Sequence, residues 1–248
     1  MKLAGTLIIV TGGASGLGLA IVESLQQAGA VPIVLDRDRE ALDMVTARLG
    51  CPGYVVELTD PVAVDGVVAT LCAEHGIPHG LINNAGILRS VPLLSLGNAD
   101  EPRHSVDLWN EVIAVNLTAV FLVTRAVVDR MVRQRVRGVV VSMSSISAQG
   151  NAGQTAYSAA KAGVEAMTRV WAKELGPLGM RFVAVAPGYV DTPSTRDAVP
   201  ADILEHLRRE TPLRRLGKPE QIAETVIFAL QNDMITGTTL AVDGGLPM

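Results

Sequence analysis

Tyr157 and Lys161 stand four residues apart in the run TAYSAAKAGVEAMTRVWAKEL, which has a helical pattern. Residues i and i+4 share a helix face, so this spacing sets the Lys161 ammonium near the Tyr157 phenol. An unperturbed phenol, with a pKa of about 10, holds its proton too tightly for acid–base work at neutral pH. A neighbouring cation favours the phenolate, so the phenol of Tyr157 is expected to be drawn down toward the range of a general acid–base. Ser158, Ala159, Ala160, Ala162 and Gly163 around the pair are small and leave room for a close neighbour. The pair alone also fits two ordinary exposed helix residues.

A second group decides more. In LIIVTGGASGLG, Leu7 to Gly18, an apolar run enters a turn carrying Gly12, Gly13, Gly16 and Gly18. So many glycines suit a backbone that must approach a ligand closely and then start a helix. Leu17, Ala20, Ile21 and Leu25 recur at helical spacing, and Gly29 marks the stop. A strand, a glycine turn and a helix N-terminus together bind a pyrophosphate through free N–H groups and the helix dipole. The spacing Gly12-x-x-x-Gly16-x-Gly18 differs from G-x-G-x-x-G, and a tight turn without ligand would also use it.

The elements positioning these residues alternate along the whole chain. Strands are expected at Leu7–Val10, Val31–Leu35, Tyr54–Leu58, Gly80–Asn83, Val139–Met143, Arg181–Ala186 and Thr239–Val242. Amphipathic helices are expected from near Leu17, Asp38, Pro61, Leu108, Thr155 and Pro219. Runs such as VVVSM and FVAVA suit strands buried on both faces. With no linker and no repeat, residues 1–248 read as a single α/β domain, a doubly wound, mostly parallel seven-stranded sheet of Rossmann type. Ligands of such sheets sit beyond the carboxyl ends of the strands. At those ends stand Gly12–Gly18, Asp36, Asn83–Gly86, Ser142–Ser147 and Pro187-Gly188. Asp36, about 20 residues past the glycine turn, suits both hydroxyls of an adenosine ribose and would repel a 2′-phosphate, so NAD is expected over NADP. Arg37 beside it leaves a route to the phosphate, and N-capping of the next helix by Asp36 is the plainer use, though Asp38 serves equally well there.

Bulk composition narrows the classes. Of 248 residues, 48% are hydrophobic and 19% charged, as in a globular protein with a large core. A net charge of −4 argues against nucleic acid as a partner. No run looks long and charge-free enough to span a bilayer, and the first residues read as a strand, so no membrane association and a cytoplasmic location are expected. Cys51 and Cys72 lack metal spacing, and Gly76 and Pro78 break any helix joining His75 and His79, so no metal site is expected.

With Tyr157-x-x-x-Lys161 in hand, the chain resembles the short-chain dehydrogenase/reductase family. Thr11-Gly12-x-x-x-Gly16-x-Gly18, Asn83-Asn84-Ala85-Gly86, Ser144-Ser145, Pro187-Gly188 and Asp243-Gly244-Gly245 match its motifs in its order, over essentially the whole chain. The resemblance implies hydride transfer between NAD(H) and a secondary alcohol or ketone, with Tyr157 passing the proton. Lys161 would lower the Tyr157 pKa and bind the nicotinamide ribose, and an oxidised nicotinamide would lower that pKa further. A strand-end serine would hold the substrate oxygen, and Asn116 would hold a relay water. Family spacing from the tyrosine points to Ser144; counting along the strand points to Ser145, which is preferred because a loop absorbs a deletion more easily than a buried strand shifts register. The implied cofactor contacts are Gly12, Ser15, Gly16, Leu17, Gly18, Asp36, Glu57, Leu58, Asn84, Ala85, Gly86, Tyr157, Lys161, Pro187, Gly188, Val190 and Thr192.

A long loop at about 88–108 and a proline-bounded lid at about 189–212 occupy the places where substrate choice is made. Val190, Ala198, Val199, Ile203 and Leu204 suggest a largely apolar pocket. A 3-oxoacyl-thioester reductase or 3-hydroxyacyl-CoA dehydrogenase is the alternative enzyme, since GNAGQTAYSAAKAG resembles such members, although those reductases generally use NADPH. A nicotinamide-binding sensor is the non-enzymatic alternative, disfavoured by the intact proton-transfer residues. Family members are commonly homotetramers, and the broad apolar surface of LTAVFLVTRAVVDRMV supports an oligomer.

Overall fold

The structure, a computed structural model, describes residues 1–95 and 102–246. Its strands are β1 (Leu7–Thr11), β2 (Val31–Asp36), β3 (Gly53–Val55), β4 (Gly80–Asn83), β5 (Val139–Met143), β6 (Arg181–Pro187) and β7 (Thr238–Val242). Among the described residues they form one seven-stranded sheet in the order β3-β2-β1-β4-β5-β6-β7, with parallel pairing throughout. The helices are α1 (Gly16–Gln27), α2 (Arg39–Leu49), α3 (Pro61–His75), α4 (Val106–Ile113), α5 (Ala119–Arg133), α6 (Thr155–Leu175), α7 (Pro193–Ala198), α8 (Ala201–Glu210) and α9 (Pro219–Gln231).

Every residue of β5 and β6 is buried, because each sheet face carries its own layer of helices. On one side Ile21 and Leu25 of α1, Leu42 of α2 and Ile222 and Val226 of α9 pack with Val34, Val141 and Val183. On the other, Leu71 of α3 and Val127 and Met131 of α5 pack with Ile9, Leu81 and Phe182, and Trp171 of α6 joins them. Full burial of such a side chain contributes roughly 1.5–3 kcal/mol. Asp38 caps α2 by accepting from Ala41 N at 3.1 Å, and Asp60 caps α3 by accepting from Val62 N at 2.8 Å.

Two expectations need correction. The third strand stops at Val55 instead of Leu58, because it pairs only with Val34–Asp36 at the edge of β2. Glu57 and Leu58 therefore lie in the loop beyond it. The continuous helical stretch Val106–Arg133, 28 residues long, is long and apolar enough by length and composition to cross a membrane, contrary to the sequence reading. More than half of its most apolar window is buried, with Val123 and Val127 inside the core, so its apolarity serves packing against the sheet.

The chain runs outward from β1 to β2 and β3, then returns to place β4 on the other flank of β1. Loops leaving β1 and β4 consequently diverge, and the crevice between them is where a parallel sheet holds its ligand.

Candidate active site

A cleft of about 500 Å³ opens at this point, lined by residues from the ends of β1, β2, β4, β5 and β6. Its floor is made where β1 meets β4. Asn84 donates through Nδ2 to Thr11 O at 3.1 Å and Gly12 O at 2.9 Å, while Thr11 Oγ1 accepts from Asn84 N and Ala85 N. A Cβ on Gly12, whose φ is +61°, would lie 2.8 Å from Ala85 Cα. One on Gly18 would run into the Gly12 carbonyl. The turn thus presses α1 against the strand end, and only glycine permits it. Ser15 precedes α1 without capping it by its side chain, and the first turn holds no acidic residue, so the helix N-terminus keeps N–H groups for an external anion.

Asp36 does not cap α2; Asp38 does. Each Asp36 oxygen instead takes one backbone N–H, Oδ2 from Ala14 at 3.0 Å and Oδ1 from Asp38 at 3.1 Å. Those bonds fix the carboxylate at the rim of the cleft, and each oxygen retains a lone pair for a ribose hydroxyl. Glu57 accepts from Thr59 N at 3.0 Å and Thr59 Oγ1 at 2.7 Å. These bonds, with help from Arg37, hold its carboxyl below the usual range. Gly12, Ser15, Gly16, Leu17, Asp36, Glu57, Leu58, Asn84, Ala85, Gly86, Pro187, Gly188, Val190 and Thr192 all line this one cleft. Gly18 does not line it but shapes it through its contact with Gly12. The glycine cradle, the helix terminus and the ribose-directed carboxylate fit a nicotinamide dinucleotide.

Tyr157, Lys161 and Ser145 line the other end of the cleft. Lys161 is buried, its Nζ donates to Met143 O at 2.7 Å and lies 5.6 Å from the centre of the Tyr157 ring. Burial draws its ammonium down to about 8. Tyr157 departs from expectation: burial pushes its phenol up to about 12, the Ser145 hydroxyl bond opposes the rise and Tyr189 adds to it. Desolvation dominates here, with the Lys161 ammonium 5.6 Å from the ring centre and bonded to Met143 O. The two candidate serines take different places. Ser144 continues the β5 ladder through its N–H to Val185 O, turns its hydroxyl to Glu165 at 2.9 Å and is buried against α6. Ser145, the next residue, points the opposite way, lines the cleft with Tyr157 and accepts from Ser147 N at 3.1 Å.

Asn116 lies in a π-helical turn, Ala114–Thr118, between α4 and α5, and is fully buried. Its Oδ1 accepts from Ile87 N at 3.1 Å, and its Nδ2 donates to Ile87 O at 3.0 Å and Val112 O at 3.1 Å. The amide is therefore a clamp on the chain leaving β4. Asn116 Oδ1 would stand 2.7 Å from a Cβ on Gly86, and Lys161 Nζ 3.7 Å, so the three residues pack as one unit.

The lid departs from the apolar expectation. Of the residues named for it, Val190 lines the cleft, while Val199, Ile203 and Leu204 do not, and the Ala198 side chain lies outside the described set. Tyr189, Thr192 and Thr195 give this wall a polar character. Within the loop at 88–108, Leu94 pairs with Arg103 and His104 N bonds Leu93 O; residues 96–101 lie outside the described set. Sequence reasoning missed Gln154, Tyr189 and Ile87. Gln154 had a legible signal in its place three residues before Tyr157, although it is the N-cap of α6 and not part of the helix.

The family model described as Enoyl-(Acyl carrier protein) reductase matches residues 12–247. The chain is 40% identical over 254 residues to a 3-oxoacyl-[acyl-carrier-protein] reductase of Thermotoga maritima, covering 99% of both chains. It is 35% identical to a human (3R)-3-hydroxyacyl-CoA dehydrogenase, covering 100% of this chain and 97% of the relative. Among solved structures it is similar to a protein described as ribose-5-phosphate isomerase from Brucella melitensis 16M, with a TM-score of 0.90, 30% identity and coverage of 99% and 93%. Matched over essentially its whole length, with Tyr157, Ser145 and the buried Lys161 in one cleft, the chain is an oxidoreductase of the short-chain dehydrogenase/reductase family.

Proposed function

We propose that this enzyme transfers hydride between NAD(H) and the C3 carbonyl/carbinol of a 3-oxoacyl or 3-hydroxyacyl thioester, within a wider capacity for secondary alcohols and ketones. The observation that carries the reaction type is the convergence of Ser145, Tyr157 and the buried Lys161 on one cleft, with the Lys161 ammonium 5.6 Å from the Tyr157 ring centre. The thioester is supported by the relatives whose names specify such substrates. When bound, the nicotinamide supplies or accepts the hydride.

The remaining chemistry belongs to the chain. Tyr157, its phenol pushed to about 12, is fully protonated at neutral pH and gives its proton to the carbonyl oxygen in reduction. Ser145 donates to that oxygen as charge grows on it. Lys161, drawn to about 8, is still mostly an ammonium at neutral pH and stabilises the phenolate that proton loss leaves behind. Asn116 is a positioning residue that holds Ile87 and the floor beneath Lys161. The enzyme works as a cytoplasmic homotetramer in this reading, a state supported by the exposed apolar Trp109, Phe121 and Val170 on α4, α5 and α6.

Asp36 supports NADH because its carboxylate occupies the rim where a 2′-phosphate would sit. The test is kcat/KM for NADH and NADPH in wild type and Asp36→Asn. The asparagine should shift the ratio toward NADPH by about 10-fold or more, from loss of a repulsion worth about 1.4 kcal/mol. A wild type that prefers NADPH would overturn the cofactor assignment.

A further inference from the structure

Among the described residues lining the cleft, Gln154 is a buried side chain that neither the cofactor nor the proton transfer uses and that is left with an unpaired polar atom. Gln154 is 6% exposed and lines the cleft. Its Nε2 lies 3.1 Å from Ser90 Oγ, and its Oε1 has no hydrogen-bond partner among the described residues. Turning the amide exchanges the two atoms but still leaves one unpaired, because Ser90 engages only one end. A buried amide end left unmade costs roughly 1–3 kcal/mol, so its position calls for a ligand that completes it.

Gln154 is the N-cap of α6, three residues before Tyr157, with φ −121° and ψ 38°, and both side chains line the cleft. Three positions of chain separate them, so one small molecule with a carbonyl at Tyr157 can bring a second oxygen to Gln154. The charges around it narrow the second group. Of the cations lining the cleft, Arg37 stands beside Asp36 at the nucleotide end and Lys161 lies beneath Tyr157. Neither faces a carboxylate on the Gln154 side, and the nearby liners Ser145, Ser147 and Tyr189 are neutral polar residues.

We infer that Gln154 is the specificity-determining residue for a neutral carbonyl β to the reacting one, the thioester carbonyl if the proposed function holds. In the structure Nε2 donates to Ser90; with the amide turned end for end on substrate binding, Oε1 accepts the Ser90 hydroxyl proton and Nε2 donates to that oxygen. The backbone bridge between Val91 and Gln154, together with Ser90, couples this contact to the loop that follows β4. Substrates with a second oxygen are thereby separated from simple ketones of the same length.

The experiment measures kcat and KM with NADH for a 3-oxoacyl thioester and for a chain-matched ketone lacking the second oxygen. The proteins are wild type, Gln154→Met and Ser90→Ala, with NADH binding measured on each. Gln154→Met should lower the thioester-to-ketone ratio of kcat/KM by about 10-fold, chiefly through KM for the thioester, while Ser90→Ala, which frees the amide without removing its N–H, lowers the ratio by clearly less, about 2- to 3-fold. An unchanged ratio in Gln154→Met, or an equal fall in Ser90→Ala, overturns the inference and shows Gln154 to be a loop anchor. If Gln154→Met fails to fold, Gln154→Glu gives the same reading, since a carboxylate cannot donate and its ratio must also fall. Wild type that reduces neither substrate defeats the proposed function itself, a result distinct from an unchanged ratio.

Discussion

Lys161 offers a test that needs no substrate. It is 4% exposed, and the bond its ammonium makes is to Met143 O. Burial draws it from the ordinary 10.5 to about 8. Between those values the unfolded chain binds more protons than the folded one, so stability rises with pH across the window and levels off above it. The whole gap corresponds to about 3 kcal/mol, of which about 2 kcal/mol accrues between about pH 7 and pH 9.5. Equilibrium urea unfolding of wild type and Lys161→Met at these two pH values reads the effect as a difference. Methionine keeps the length without the charge, so the wild-type stability should rise by about 2 kcal/mol relative to the variant. Cys51, Cys72 and Tyr157, all raised, are common to both proteins and cancel. Parallel pH dependences for the two proteins would refute the buried-ammonium argument.

The two serines should separate cleanly. Ser145→Ala, which removes the donor at Tyr157, should lower kcat about 10²-fold or more, and Ser144→Ala should leave kcat within a few-fold while costing about 1 kcal/mol of stability from its Glu165 bond, read by steady-state kinetics and urea unfolding. Gly18→Ala forces a methyl onto Gly12 O and should cost about 1–3 kcal/mol and weaken NADH binding at least 10-fold by fluorescence titration; tight binding would mean the turn relaxes freely.

Much of this was legible in the chain because the relevant signals are local. Val139–Met143 reads as a doubly buried strand from its own side chains, and the structure gives the same bounds. The strand argument for Ser145 rests on the same fact, since β5 cannot slip without moving Val140 and Val141 out of the core. What the sequence left hidden depends on long-range placement. Nothing in Tyr157-x-x-x-Lys161 says that the ammonium turns toward Met143 O, so the balance between desolvation and charge was invisible. The polar lid was misjudged for the same reason: helix α8 carries Ile203 on its exposed side, 45% accessible, away from the cleft. Asn116 announced its importance, but its bonds to Ile87 need two segments separated by the whole of the substrate loop.

The central claim is that Tyr157 transfers the proton while the hydride moves between NAD(H) and the substrate carbon. It is tested most directly by the initial rate of NADH oxidation, with NADPH in parallel, on a 3-oxoacyl thioester and a panel of ketones, by wild type and Tyr157→Phe. The account predicts NADH-dependent turnover by wild type and a loss of about 10²–10⁴-fold in the variant with NADH binding retained. A variant that keeps its rate, or a wild type that binds NADH tightly and turns over nothing, would contradict it.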